Sequence, residues 1–124
     1  MLLTRESSRV NVVSAWNADG IRIGEEWLRQ HVIISAQTII RDWPVHAPEH
    51  VRLEDLSAAV ALEPQVLLLG TGPRLMLPQM DLMQALGAKG IGLEIMDTPA
   101  ACRTYNVLVH ENRRVVAALF SMTR

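Results

Sequence analysis

Asp97-Thr98-Pro99-Ala100-Ala101-Cys102-Arg103-Thr104-Tyr105-Asn106 places a helix start, the only cysteine and several hydrogen-bonding side chains within ten residues. Two chemistries suit such a segment. A thiol near a helix N-terminus and beside Arg103 can ionise easily and attack an electrophile. Alternatively, the unpaired N–H groups of the first turn can hold a small anion. At 100° per residue, however, Ala101, Cys102, Tyr105, Leu108 and Val109 form one apolar stripe, which makes Cys102 a small buried hydrophobe. A catalytic thiol also needs a positioned base, and His110 lies two helical turns away. No paired carboxylates with acid–base spacing occur either, so no catalytic residue is assigned.

A second polar segment, Gly70-Thr71-Gly72, follows the apolar run Val66-Leu67-Leu68-Leu69. If residues 66–69 and 91–96 are parallel strands, a right-handed crossover brings Gly70-Thr71-Gly72 and Asp97-Thr98-Pro99 to the same carboxyl edge of a sheet, where open α/β sheets bind ligands. Arg74 and Arg103 then add positive charge. The crevice expected on this reading is formed by Gly70, Thr71, Gly72, Arg74, Asp97, Thr98 and Arg103, and suits a carboxylate or phosphate. On the competing reading the glycines permit a tight turn, and Asp97 and Thr98 cap a helix. Asn106 and His110 share a polar helix face with Arg103; they are second-rank surface candidates whose commoner role is solvation.

Other motifs fail on geometry. Gly70-Thr71-Gly72-Pro73-Arg74-Leu75 begins like a dinucleotide fingerprint but has leucine at the sixth position, and Pro73 keeps a helix from opening out of the loop. No Gly-Lys-Ser/Thr follows, which excludes a P-loop. His46-Ala47-Pro48-Glu49-His50 matches a metallopeptidase string that requires both histidines on one continuous helix, and Pro48 breaks that helix between them. No metal and no cofactor are expected.

The elements that position these residues are legible in the pattern. A chain of 124 residues, 49% hydrophobic and 20% charged, suits a single domain over residues 1–124, β-rich from about 8 to 43 and α/β from about 51 to 121. Alternation from Val10 to Trp16 leads to Asp19-Gly20, expected to supply the positive φ of a tight hairpin before Ile21-Arg22-Ile23. Glu26-Trp27, His31 to Ile34 and Thr38 to Ile40 read as further antiparallel strands. Leu53, Leu56, Ala59 and Val60 recur at helical spacing from Val51 until Pro64 stops them. Residues 65–69 form a strand buried on both faces, Pro78 opens a helix over Gln79 to Leu86 closed by Gly87, and Ile91 to Met96 is the next strand. Thr98 caps a helix with Pro99 at its first position, running to about His110, and Arg114 to Phe120 is the last strand. The expected fold is therefore a three-layer α/β domain, a central mixed sheet flanked by helices with an additional N-terminal antiparallel portion.

Formal net charge of −1 with a single lysine gives no field for nucleic acid. The opening Met1 to Glu6 falls short of the roughly 7 to 15 apolar residues of a signal-peptide core. No apolar run reaches the roughly 18 residues of a membrane span. One cysteine permits no internal disulfide. A cytoplasmic protein without membrane insertion is expected.

Val66-Leu67-Leu68-Leu69-Gly70-Thr71-Gly72, together with Met96-Asp97-Thr98-Pro99 through Asn106, and with Leu108, Glu111, Arg113 and Val115 to Leu119, resembles one family over almost the whole chain. That family is the small uncharacterised bacterial and archaeal domain family related to mitochondrial respiratory complex I assembly factor 3 and the adipogenesis-associated domain proteins. The resemblance implies the same three-layer fold. For the mitochondrial relatives it implies a role in assembling an NADH:ubiquinone oxidoreductase, and it carries over no catalytic residue. Unlike those relatives the chain is expected to lack a targeting peptide, and Asn112 stands where glycine is common. The functional expectation is a non-enzymatic protein-interaction or assembly-factor-like module of bacterial type, with a protein partner and possible homo-oligomerisation through an exposed edge strand. The alternative is a small-molecule or anion binding protein, or an enzyme, that uses the crevice described above.

Overall fold

The computed structural model describes residues 9–123. β1 (Val13–Asn17), β2 (Gly20–Ile23) and β3 (Glu26–Leu28) form an antiparallel sheet in that order. The first hairpin is closed differently from the expectation. The Asn17 side chain accepts from the N–H groups of Asp19 and Gly20, at 2.8 and 3.2 Å, so an asparagine turn reverses the chain and Gly20 keeps a negative φ. Glycine is required at position 20 for a different reason, since a Cβ there would lie 2.6 Å from the Leu28 carbonyl oxygen on β3.

The larger sheet contains β4 (Val32–Ser35), β5 (Ile39–Ile40), β6 (Val66–Gly70), β7 (Gly92–Met96) and β8 (Val115–Leu119), in the order β5-β4-β8-β6-β7. β6 runs parallel to both β7 and β8, whereas β4 pairs antiparallel with β8 and β5. Burial on both faces makes β6 and β8 continuous apolar runs, and the two-residue repeat sends alternate side chains to separate cores. Leu68, Ala117 and Leu119 face Ile21, Ile23 and the helix α3 (Thr98–His110), here contributing Ala101, Cys102, Tyr105 and Val109. Leu67, Leu69, Val116 and Ala118 face Trp43, Leu56, Ala59 and the helix α2 (Asp81–Gly87), here contributing Leu82 and Leu86. The expected three layers with a mixed central sheet follow. α3 and the small sheet cover one face, and α2 with the segment around residues 43–59 covers the other.

Each of the three helices departs from the periodic pattern at one end or both. The helix expected from Val51 to Pro64 is a 3₁₀ turn, Leu53–Leu56, followed by the single turn α1 (Ser57–Val60). Pro64 disfavours helical geometry at the residue before it, and Glu63 adopts φ +57 to leave the helix. α2 starts at Asp81, two residues later than the proline signal placed it, and the left-handed residue beyond its end is Gly90, φ +79, rather than Gly87. α3 is capped by Asp97, whose carboxylate accepts from the Ala100 N–H at 2.9 Å, and Thr98 is its first residue. At its other end Asn112 takes φ +61, a conformation that glycine adopts freely and asparagine tolerates best among the rest.

Candidate functional site

The parallel register pairs Gly70 of β6 with Met96 of β7, and the next residue, Thr71, donates its N–H to the Met96 carbonyl at 2.9 Å. The two polar segments therefore meet at the carboxyl edge, and they are bonded to each other directly. Gly72 accepts the Thr98 N–H on its carbonyl at 2.8 Å and donates its own N–H to Thr98 Oγ1 at 2.8 Å. The same hydroxyl donates to the Phe120 carbonyl, also at 2.8 Å, so Thr98 ties the exits of β6 and β8 to the start of α3. Thr98 is fully buried. Gly70 lies under it, where a Cβ would come within 2.8 Å of Leu119, 2.9 Å of Thr98 Oγ1 and 3.1 Å of Ala101. Gly72 adopts φ +94. The Thr71 hydroxyl closes its own loop, donating to the Arg74 carbonyl at 2.6 Å and accepting from the Met76 N–H at 3.1 Å.

Of the residues singled out in the sequence, Gly70, Thr71, Gly72, Asp97 and Thr98 thus come together. Arg74 joins them through its backbone and exposes its side chain. Arg103 sits elsewhere, over the Trp16 ring of β1 at 6.0 Å from the centroid. Asn106 is a strap rather than a solvated residue. Its amide accepts from the Val13 N–H at 2.9 Å and donates to the Val13 carbonyl at 2.8 Å, imitating a strand partner for the end of β1. Tyr105 reinforces this from one residue before, donating to the Asn11 carbonyl at 2.7 Å; burial pushes its phenol pKa upward. His110 is exposed and hydrogen-bonds the Asn106 carbonyl at 2.7 Å through Nδ1.

Cys102 is buried in the core under α3, and burial raises its thiol pKa to about 12 against a smaller lowering by Arg103. A thiol so rarely ionised is a poor nucleophile. In the native protein at neutral pH, Cys102 should therefore resist iodoacetamide and become alkylated only in denaturant, as mass spectrometry of the two samples will show. Fast native alkylation would contradict this packing.

Concave space at the same edge, about 520 Å³, adjoins Thr71 and Gly72 and is also lined by His31, His46 and Ser121. No motif marks His31, a lone histidine ahead of a β-branched run. Its Nδ1 accepts from the Ser121 N–H at 2.9 Å, and its ring packs on Phe120 with centroids 4.8 Å apart. Burial, and secondarily the charge of His46, lowers the His31 pKa below the ordinary value. Because the folded pKa lies beneath the unfolded value of about 6.5, this contribution to stability is complete above about pH 6.5. It is lost as the pH falls through the depressed folded value, since protonation puts an N–H against the Ser121 donor. His31→Gln, which keeps an acceptor without a titration, should lose less melting temperature than the parent between about pH 7 and pH 5. Identical losses in the two proteins would dismiss the linkage.

Among the described residues no group of three or more histidine, cysteine, aspartate or glutamate side chains is placed to hold a metal ion. In particular His46 and His50 flank an extended Ala47, and only a 3₁₀ turn, Pro48–His50, follows it. Among those residues, too, no helix is long and apolar enough to cross a membrane.

Residues 13–120 match the family described as a protein of unknown function, DUF498/DUF598. The chain is 31% identical over 120 residues to human NADH dehydrogenase [ubiquinone] 1 alpha subcomplex assembly factor 3, covering 95% of this chain and 65% of the human protein. It thus spans just under two-thirds of that relative's length. Over 97 residues it is 29% identical to the 13 kDa major membrane protein of Francisella tularensis, covering 77% of this chain and 76% of that one. A crystal structure of a Bordetella parapertussis protein superposes with a TM-score of 0.86 at 36% identity, covering 93% of this chain and 98% of the other.

Proposed function

The chain belongs to the DUF498/DUF598 family, and from that premise we propose that it is a non-enzymatic protein-interaction module of the assembly-factor kind, acting from the cytoplasm on a respiratory membrane enzyme. The human relative's name ties that protein to assembly of NADH dehydrogenase. The observation that carries the reading is how the signature residues are employed. Thr71, Asp97, Thr98, Tyr105 and Asn106 direct their polar atoms to backbone groups of the same chain, and Cys102 is packed as a hydrophobe. Side chains engaged with their own backbone are not free to act on a substrate, which supports an interaction module over an enzyme.

Deleting the gene from its native host should reduce the amount of assembled NADH:ubiquinone oxidoreductase on native gels, and the tagged protein should capture subunits of that enzyme. Normal enzyme levels in the deletion strain would overturn the proposal. The reading as an anion or small-molecule binder separates cleanly in a thermal-shift screen. A ligand at about a hundred times its dissociation constant would stabilise the fold by about 2.7 kcal/mol, whereas flat melting curves across anions, nucleotides and metabolites are expected.

A further inference from the structure

A groove of about 780 Å³ runs between the segment from Pro44 to Asp55 and the first turns of α2. Its apolar lining includes Val45, Leu53, Leu82 and Ala85, of which Val45, Leu53 and Ala85 remain only half-buried. The charged lining is one-sided. Glu54, Asp55 and Asp81 contribute three carboxylates, against which stand the guanidinium of Arg52, which Glu54 already pairs at 3.4 Å, and the imidazoles of His46 and His50. Met80, between the groove residues Gln79 and Asp81, is 92% exposed, and Leu75, Leu77 and Met83 are exposed close to it in the chain. Four of the six exposed large hydrophobics found among the described residues thus fall within positions 75–83, a concentration that scattered surface apolar residues do not show.

We propose that this groove docks an amphipathic helical segment of a protein partner, its apolar face on Val45, Leu53 and Ala85 and its flanking basic side chains on Glu54, Asp55 and Asp81. The inference rests on the assembly-module reading and supplies its surface. Helix and turn side chains line the groove and no unpaired strand edge does, so recognition proceeds through side chains at helical spacing rather than by adding a strand. Its carboxylates repel phosphate, which disfavours nucleic acid and anionic bilayers and selects a basic segment. The flexible methionines beside it adapt to an irregular apolar face.

The probe is a peptide of leucine and lysine at helical spacing, about five turns (roughly 18 residues) long, titrated into isotope-labelled full-length protein and followed by amide chemical shifts. A peptide of the same pattern with glutamate in place of lysine is the control. The lysine peptide should shift amides at positions 45–55 and 79–85, and the glutamate peptide should not. The double variant Glu54→Lys/Asp81→Lys should weaken the lysine peptide by roughly tenfold or more and acquire binding to the glutamate peptide, a gain that misfolding cannot mimic. No binding, shifts confined to other surfaces, equal affinity for both peptides, or tighter binding to anionic phosphatidylglycerol vesicles than to the peptide would overturn the proposal. The two readings fail separately. An unaltered deletion strain removes the assembly role, whereas a deletion phenotype fully complemented by the double variant removes only this groove.

Discussion

Thr98→Val should destabilise the protein by about 2–4 kcal/mol and lower its melting temperature by roughly 10 °C. Valine keeps the shape and volume of threonine, so the core is undisturbed and only the hydroxyl is removed. That hydroxyl accepts from the Gly72 N–H and donates to the Phe120 carbonyl, both at 2.8 Å, from a fully buried position. Its removal leaves two backbone groups without partners where water does not reach, at about 1–3 kcal/mol each. Thr98→Ser retains the hydroxyl and should lose far less, chiefly the contacts of one methyl group. Urea titrations of the three proteins make the comparison. A valine variant as stable as the serine variant would mean that the hydroxyl does not tie the strand ends together.

Gly70→Ala should cost about 3 kcal/mol, at the upper end of what one added methyl group does in a close-packed core. The methyl would meet Leu119, Thr98 and Ala101 on β8 and α3 at once, with gaps of 2.8 to 3.1 Å. Two of those three contacts are with side chains that lack a flexible end to swing aside, and the third is a leucine in the packed core. Relief therefore requires α3 to move off the sheet, which weakens the Thr98 bonds as well, so Gly70→Ala and Thr98→Val should combine non-additively. Gly87→Ala is the internal comparison, because a Cβ at that exposed helical position meets nothing within 4 Å, and replacing a helical glycine there should be neutral or stabilising. Equal effects at positions 70 and 87 would contradict the close approach of α3 to β6.

Much of the architecture was legible because local patterns encode it. The unbroken run Val66 to Leu69 announced a strand covered on both faces, and Val115 to Leu119 is its parallel neighbour. Handedness of the crossover was enough to bring Gly70-Thr71-Gly72 beside Asp97-Thr98. The local pattern misleads where a single residue has two compatible uses. Thr98 followed by Pro99 matches a helix cap, yet Asp97 takes that position because the threonine hydroxyl is held by Gly72 and Phe120. Asp19-Gly20 matches a positive-φ turn, yet Asn17 closes it. The helix expected from Val51 broke at a 3₁₀ turn, where Asp55 accepts the Arg52 N–H at 2.9 Å.

By itself, then, the sequence determined most of the strands, the two longer helices, the three-layer class and the meeting of the two signature segments, because hydrophobic period, proline and glycine act over a few residues and chain handedness acts on whole units. Only the tertiary structure decided what the polar side chains do. Asn106 finds Val13 across 93 positions, His31 finds Ser121 across 90, and Thr98 joins partners 26 and 22 positions away in opposite directions. Such bonds depend on the register in which distant strands settle, and the same holds for the acidic rim of the groove beside α2. A helical face can be read from spacing, but whether it ends against another backbone or against solvent is fixed by the elements that pack upon it.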